Sequence, residues 1–423
     1  MSLLSLVWNY LKAKPLNTVL NILLLALGIA VITILLLFNN QLQENISKNG
    51  RGIDLVVGAK GSPLQLILCN IFHVDFPTGN IKLNEAERIA KNRLVKQAIP
   101  LALGDSYLSY RIVGTNAEYA SLYKMELQEG SWWKKNLDVT IGSNVASIGK
   151  LKVGDQFASA HGMVEGGHAH EEQKFVVSGI MKPSGSVLDN LILTNVESVW
   201  IMHEEHGEGE EADHHHDNEE HRAQDSTFLP SRLVHTVAAS DSTHEITSML
   251  IEYRSPMGAV QMPRFVNSQS NLQAASPAFE TARLFSILGV GVDILMGFAY
   301  ILIVISGLSI FIALYNSLKE RRYDLAIMRS MGASRFKIVL TILTEGVFLT
   351  ALGSLAGILL GHSVLVILGT FVEETQKAGV SGLVFYTEEW ILLAGSLLLG
   401  LLCALIPAIQ AYRTDISKVL AGN

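Results

Sequence analysis

Four long apolar runs punctuate the chain, at about 16–38, 285–315, 338–372 and 391–411, and each exceeds the roughly 20 residues that a membrane-crossing helix needs. Between the first and second, apolar and polar positions alternate over short stretches. Tyr107–Val113, Lys174–Gly179, Asn190–Thr194 and Met249–Tyr253 carry strand-like patterns bounded by Gly, Asp or Pro. Leu83–Lys96 and Asn116–Leu122 have helical periodicity, with Asn84 and Glu87 spaced as a helix cap. The pattern predicts a membrane protein with four transmembrane α-helices and a large extracytoplasmic α+β domain inserted between helices 1 and 2. Its segments are 1–39, an interfacial helix and the first span; 40–284, the outer domain; and 285–423, the remaining three spans.

Local patterns set the orientation. In Met1–Lys14, residues Leu4, Val7, Trp8 and Leu11 share one helical face and lysines close the segment, which suits a helix lying in the membrane interface. Pro15 then turns the chain into the first span. That span is expected to remain as an anchor, because its apolar run is over-long for a signal peptide and no small-residue cleavage pattern follows. The loop at about 316–337 holds Lys319, Arg321, Arg322, Arg329, Arg335 and Lys337 between two apolar runs, so the positive-inside rule puts it in the cytoplasm. Both termini then fall inside and the large domain outside. Within this loop Leu325, Met328 and Met331 recur at helical spacing before Gly332, describing a short amphipathic helix able to dock a soluble partner.

Composition adds two points. A chain that is 49% hydrophobic, with a mean hydropathy of +0.32, is too apolar for an ordinary soluble protein. Its net charge of −7 is local: His203–Asp225 contains ten acidic residues and one Arg, a balance of −9 that leaves about +2 for the rest. The two cysteines, Cys69 and Cys403, fall in different environments and are not expected to pair.

Histidine is the most distinctive chemistry. Nine of thirteen, His161, His168, His170, His203, His206, His214, His215, His216 and His221, fall within an insertion at about 161–225, mixed with Asp and Glu. Neutral imidazole and carboxylate are borderline ligands suited to zinc, copper or nickel. Such low-complexity tracts give adjustable, labile sites; the alternative is a solvated acidic loop whose metal binding is incidental. Elsewhere, Gly353, Gly357 and Gly361 recur every four residues on one face of the third span, where another helix can approach closely. Glu345, His362 and Cys403 are the polar or soft groups available to line a path through the spans, at depths that agree poorly. A lone His73 beside Phe72 and Phe76 reads as a core or surface residue. No Gly-x4-Gly-Lys-Ser/Thr phosphate loop is present, so ATP hydrolysis is not expected from this chain.

The segment Glu320-Arg-Arg-Tyr-Asp-Leu-Ala-Ile-Met-Arg-Ser-Met-Gly-Ala-Ser, followed by Glu345 and a glycine-rich run, resembles the FtsX/MacB-like (type VII) permeases of ABC transporters. The N-terminal helix with Pro15, Ile141-Gly-Ser-Asn-Val-Ala, Lys152-Val-Gly-Asp and Val176-Val-Ser-Gly-Ile extend the resemblance over most of the chain. Asp54-Leu-Val-Val-Gly-Ala-Lys-Gly-Ser-Pro-Leu-Gln, continuing through His73 and Pro77-Thr-Gly-Asn-Ile, resembles a His-rich subgroup associated with zinc homeostasis in Gram-negative bacteria. The resemblance implies an inner-membrane, non-catalytic permease subunit. Its partners would be a cytoplasmic ABC ATPase, which binds ATP and Mg2+, and a second permease chain, a homodimer being the simplest case. ATPase coupling would fall on Glu320, Arg321, Arg322, Asp324, Met328, Arg329, Met331, Gly332 and Arg335. Zn2+ or another divalent metal at the His-rich loop, with a possible periplasmic or metal-binding partner, is the expected chemistry; no nucleic-acid partner is expected. The alternatives are export of a lipoprotein, peptide or small hydrophobic compound, and mechanical signalling to a periplasmic partner without solute transport.

Overall fold

The computed structural model describes residues 3–161, 173–204, 244–371 and 380–413. The chain forms two compact units, one of Met1–Gln43 with Ile287–Asn423, the other of Glu44–Ser286. Helix α1 (Leu3–Ala13) ends before Pro15, which occupies the first position of α2 (Pro15–Asn49), where its missing N–H costs no hydrogen bond.

The second unit follows as β1 (Leu55–Ala59), α3 (Pro63–Asn70), β2 (Ile81–Lys82), α4 (Leu83–Ala90), β3 (Val95–Tyr107), β4 (Tyr110–Gly114), α5 (Ala117–Leu122), β5 (Leu127–Gly130), β6 (Asp138–Ile141), α6 (Ser143–Gly149), β7 (Gln156–Phe157), β8 (Ala160–His161), β9 (Phe175–Met181), a 3-10 turn at Val187–Asn190, β10 (Leu191–Thr194), α7 (Val196–Glu204), β11 (Glu245–Ile246), β12 (Ser248–Tyr253), α8 (Met257–Gln269) and β13 (Leu272–Ala275). Among the described residues, the main sheet runs β13-β1-β12-β3-β4-β10-β6-β9-β5, with β7 on β9 and β8 on β3, while β11 and β2 form a separate pair. Along β1 the side chains alternate between the two faces of this sheet. Val56 enters a core with Leu66, Ile67, Tyr119 and Leu193; Leu55 and Val57 enter another with Ile89, Val199, Met249 and Met262. Helices α3 and α5 therefore cover one face and α4, α7 and α8 the other. A third core, built on Val139, Phe157, Phe175 and Val177, closes the β6–β9 end.

The unit is α+β, and several local expectations need correction. Leu83–Lys96 is not one helix: α4 stops at Ala90, and Val95 opens the long central strand β3, whose cross-strand pairing outweighs the helical periodicity of the sequence. The cap at Asn84 is also absent, since Lys82 precedes the helix without a side-chain cap bond. Tyr107–Val113 is not a continuous strand; Leu108 and Ser109 both take positive φ and turn β3 into β4 as a tight hairpin. Strand β1 lies inside the Asp54–Gln65 motif and is a fully paired interior strand, so its buried run lacks the alternation that marks a half-exposed strand.

The chain then enters α9 (Pro277–Glu320), α10 (Arg322–Ser330), α11 (Arg335–Phe371) and α12 (Glu388–Arg413). Gly332, at φ +98°, ends α10 in the left-handed conformation, and Ser334 Oγ accepts from the Lys337 amide to start α11. Helices α2, α9, α11 and α12 are long and apolar enough to cross a membrane. In the unit they build, Leu25, Ile29, Ile310, Leu314, Ile342, Leu349, Ala404 and Ala408 form a common core.

Candidate functional site

The basic loop becomes α10 and its flanks, and Arg321 ties it to the N-terminal helix. Arg321 lies between α9 and α10 with its guanidinium 3.8 Å from the centre of the Tyr10 ring, and its Nη2 donates to the Tyr10 carbonyl. Its Nη1 lies 3.6 Å from Oε1 of Glu345 on α11, both side chains being largely buried. Lys14 pairs with Glu320 beside it. Tyr10, Lys14, Arg321 and Glu345 border a cavity of about 180 Å³, also lined by Asn17, Asn21, Ser309 and Ser317. One arginine thus links α1, α10 and α11, which suits a planar guanidinium that can stack and pair at once. The sequence did not mark Tyr10, and marked Lys14 only as one of the lysines closing the segment, because nothing in a 14-residue amphipathic segment names its distant partner.

The apolar face expected on α10 divides. Leu325 packs on the helix core and Ala326 is buried, whereas Met331 is 82% exposed, outside that face. Tyr323, Ile327 and Met331, spaced by four, form the exposed apolar row instead. Met328 and Arg329 are half-buried, and Arg335 reaches over the Tyr412 ring at 5.6 Å. Arg322 and Asp324 lie on α10; the description of both stops at the backbone.

Gly353, Gly357 and Gly361 face α2. A Cβ at these positions would meet Leu25 at 2.9 Å, Ile29 at 2.6 Å and Thr33 at 2.9 Å, so α11 and α2 touch nearly backbone to backbone. Glu345, His362 and Cys403 are not brought together. His362 is buried elsewhere on α11, between the Gly382 carbonyl (2.6 Å from Nδ1) and Glu389 Oε2 (2.9 Å from Nε2), while Cys403 lies against Gly307.

Of the histidine ligands proposed from sequence, His168, His170, His206, His214, His215, His216 and His221 lie outside the described residues. His161 contributes its backbone to β8, opposite Asp105. His203 lies in the last turn of α7 with Nε2 3.8 Å from Oδ1 of Asp105 on β3. The imidazole lies against the backbone of Gly104, where a Cβ would sit 2.4 Å from Nε2. His203 borders a cavity of about 420 Å³ lined by Gly104, Trp200, His244, Glu245 and Thr247. Among the described residues no three His, Cys, Asp or Glu side chains are grouped to hold a metal. His73 is half-buried against the core: its Nε2 is 2.9 Å from the Tyr119 hydroxyl, and burial, with the Arg111 guanidinium nearby, lowers its pKa to about 3. Asp105 was missed from sequence because a single acidic residue after the apolar run of β3 carries no local sign that it is buried.

The sequence matches the family described as FtsX-like permease C-terminal over residues 296–416, and that described as MacB-like periplasmic core domain over residues 18–228. Among solved structures it is similar to the periplasmic region of MacB from Actinobacillus actinomycetemcomitans, at 11% identity and a TM-score of 0.33, over 56% of this chain and 97% of that one. It is also similar to the extracellular domain of the noncanonic ABC-type transporter YknZ from Gram-positive bacteria, at 13% identity and a TM-score of 0.29, over 53% of this chain and 99% of the other. No curated protein matches it.

Proposed function

We propose, from the premise that this chain belongs to the FtsX/MacB-like ABC transporter permeases, that it is the membrane subunit of a bacterial inner-membrane complex. It pairs with a second copy of itself and with an ATPase bound at α10. The four apolar helices are its spans, both termini lie in the cytoplasm, and the α+β unit lies in the periplasm. The observation that carries this reading is the exposed row Tyr323, Ile327 and Met331 on a helix that Arg321 fastens to α1 and α11. A partner gripping that row would move α10, and Arg321 would pass the displacement to two membrane helices at once.

The cargo context is a divalent metal, zinc first, handled at the histidine-rich segment. Density of imidazole and carboxylate supports this. The mechanical reading has support of its own: at 1.5 Å per residue, the 35 residues of α2 and 44 of α9 are longer than the roughly 30 Å hydrocarbon core requires. Such helices suit transmission of movement whether or not a solute crosses.

Reconstitution of the complex with its ATPase in vesicles tests both. Zinc-stimulated ATP turnover with zinc crossing the bilayer is the expected result. Turnover stimulated by zinc with no metal crossing would favour mechanical signalling. Turnover indifferent to zinc but raised by a lipoprotein, peptide or hydrophobic compound would overturn the metal reading. Turnover unaffected by Met331→Glu together with Tyr323→Glu would overturn the assignment of α10.

A further inference from the structure

The hydrogen bonds that fasten the α11–α12 connection to α11 require one proton more than a neutral histidine and an ionised glutamate possess. Gln41 on α2 holds the connection at one end, accepting from the Ser381 amide at 2.7 Å and donating to the Ser381 carbonyl at 2.9 Å. Gly382 then lies directly on α11, where a Cβ would collide with the His362 carbonyl and with Val366. This close approach puts the Gly382 carbonyl 2.6 Å from His362 Nδ1, while Glu389 Oε2 stands 2.9 Å from Nε2. A carbonyl only accepts, so Nδ1 carries a hydrogen, and a neutral imidazole has no second N–H to offer. An ionised carboxylate has none either, and its other oxygen, Oε1, already accepts from the Tyr386 amide. Without a further proton, two lone pairs would face each other between side chains that are only 7% and 5% exposed. Moving the imidazole hydrogen to Nε2 transfers the same conflict to Gly382.

We propose that His362 and Glu389 form a binding site for one proton, shared between Nε2 and Oε2, and that this proton holds the 382–389 segment on α11. The proton comes from water, and its binding takes the pair from a charge of −1 to zero, as imidazolium with carboxylate or as imidazole with carboxylic acid. Neutrality matters because an uncompensated charge is costly in a buried site. No cation on the elements packed around the pair supplies it. Among the described residues, α2 has no ionisable side chain from Pro15 to Gln43, α11 has only His362 from Gly346 to Phe371, and the 380–387 stretch has only Tyr386. Up to Cys403, α12 offers Glu389 and the exposed Glu388; Glu373, Glu374 and Lys377 lie outside the described residues. Around the pair, Ile34, Leu37, Leu365, Val380 and Tyr386 pack as an apolar cluster. Phe385, stacked on the imidazole at 4.3 Å, covers one face of the ring and favours its cationic form. As the pH rises and the proton leaves, one of the two imidazole contacts fails, and the 382–389 segment parts from α11 while Gln41 still ties Ser381 to α2. The grip of the α11–α12 connection on α11 is thereby set by acidity.

The test uses the full chain in lipid nanodiscs, with two readouts across the pH range in which it stays folded. Hydrogen exchange of the peptide spanning 382–389, corrected for the intrinsic pH dependence of amide exchange, reports closure of the segment. Infrared difference spectra report the protonation of carboxyl and imidazole groups. In the native chain, protection of this peptide falls by at least about tenfold as the pH rises, and the accompanying infrared change is the loss of a proton that is absent from the spectra of Glu389→Gln. Glu389→Gln stays protected throughout, because its amide donates to Nε2 and its oxygen still accepts from the Tyr386 amide. His362→Phe fills the space of the ring without its hydrogen bonds and is unprotected throughout, whereas Glu388→Gln follows the native chain. Thermal unfolding checks that each variant is folded, and Glu389→Gln decides the matter by itself if His362→Phe fails to fold. Protection that falls with pH in Glu389→Gln as it does in the native chain would overturn the site. So would a neutral imidazole beside an ionised carboxylate in a segment that remains protected, or native protection that no pH in the range alters.

Discussion

His362 Nε2 lies 2.9 Å from Glu389 Oε2, joining α11 to the first turn of α12 through two buried side chains. The other ring nitrogen donates to the Gly382 carbonyl, and Glu389 Oε1 accepts from the Tyr386 amide. Phe385 stacks on the imidazole at 4.3 Å. The pair therefore staples the segment from Gly382 to Glu389 onto α11. Glu389→Gln can still hydrogen-bond the ring nitrogen and keeps an oxygen for the Tyr386 amide, and should be close to neutral, whereas Glu389→Leu removes both of these contacts. That loss should cost about 3 kcal/mol, read as a lowered unfolding temperature in detergent.

Arg321 and Glu345 make a second buried pair, and removing one partner is more damaging than removing both. Arg321→Ala should destabilise the chain by about 3 kcal/mol, because Glu345 is left buried and uncompensated. Adding Glu345→Gln should recover much of this. A double-mutant cycle on thermal stability measures the coupling, and additive single effects would show that the two side chains do not interact.

The α2–α11 contact depends on the absence of side chains. Gly357→Ala should lower stability by roughly 2 kcal/mol, since its Cβ would stand 2.6 Å from that of Ile29 and 2.7 Å from the Ala26 carbonyl. Gly297→Ala is the control: nothing lies within 4 Å of its would-be Cβ, and a helix interior gains from the change. Unfolding midpoints of the two variants should move in opposite directions.

The pH dependence follows from His73. Its folded pKa, about 3, lies below the unfolded value of about 6.5, so the unfolded chain takes up a proton first as the solution is acidified. The stability that the neutral imidazole contributes is complete above pH 6.5 and is lost progressively as the pH falls toward 3. His73→Asn tolerates the left-handed backbone at φ 55° and has no proton to gain. Chemical denaturation of the full chain at pH 7 and pH 4 should show a smaller acid-induced loss for the variant than for the native chain.

Much of the architecture was legible one segment at a time. Apolar runs of sufficient length marked the four long helices, because a hydrocarbon environment requires continuous apolarity and leaves a plain trace. Gly332 marked the end of α10, since few residues accept positive φ. The exposed row on α10 was misread, however, because Leu325 and Met331 are both apolar and only packing tells which is covered. Strand β1 was missed for a related reason: an interior strand buried on both faces has no alternation to read.

The sequence by itself determined composition-driven properties: helices long enough for a bilayer, a basic loop, a concentration of histidine and a glycine repeat at helical spacing. These depend on residues near one another in the chain, where periodicity and charge act directly. Tertiary structure alone decided the pairings of Arg321 with Tyr10 and Glu345, His362 with Glu389, and His203 with Asp105. Each joins residues far apart in sequence, and such a contact is fixed by how helices and strands pack, a property that no local pattern encodes.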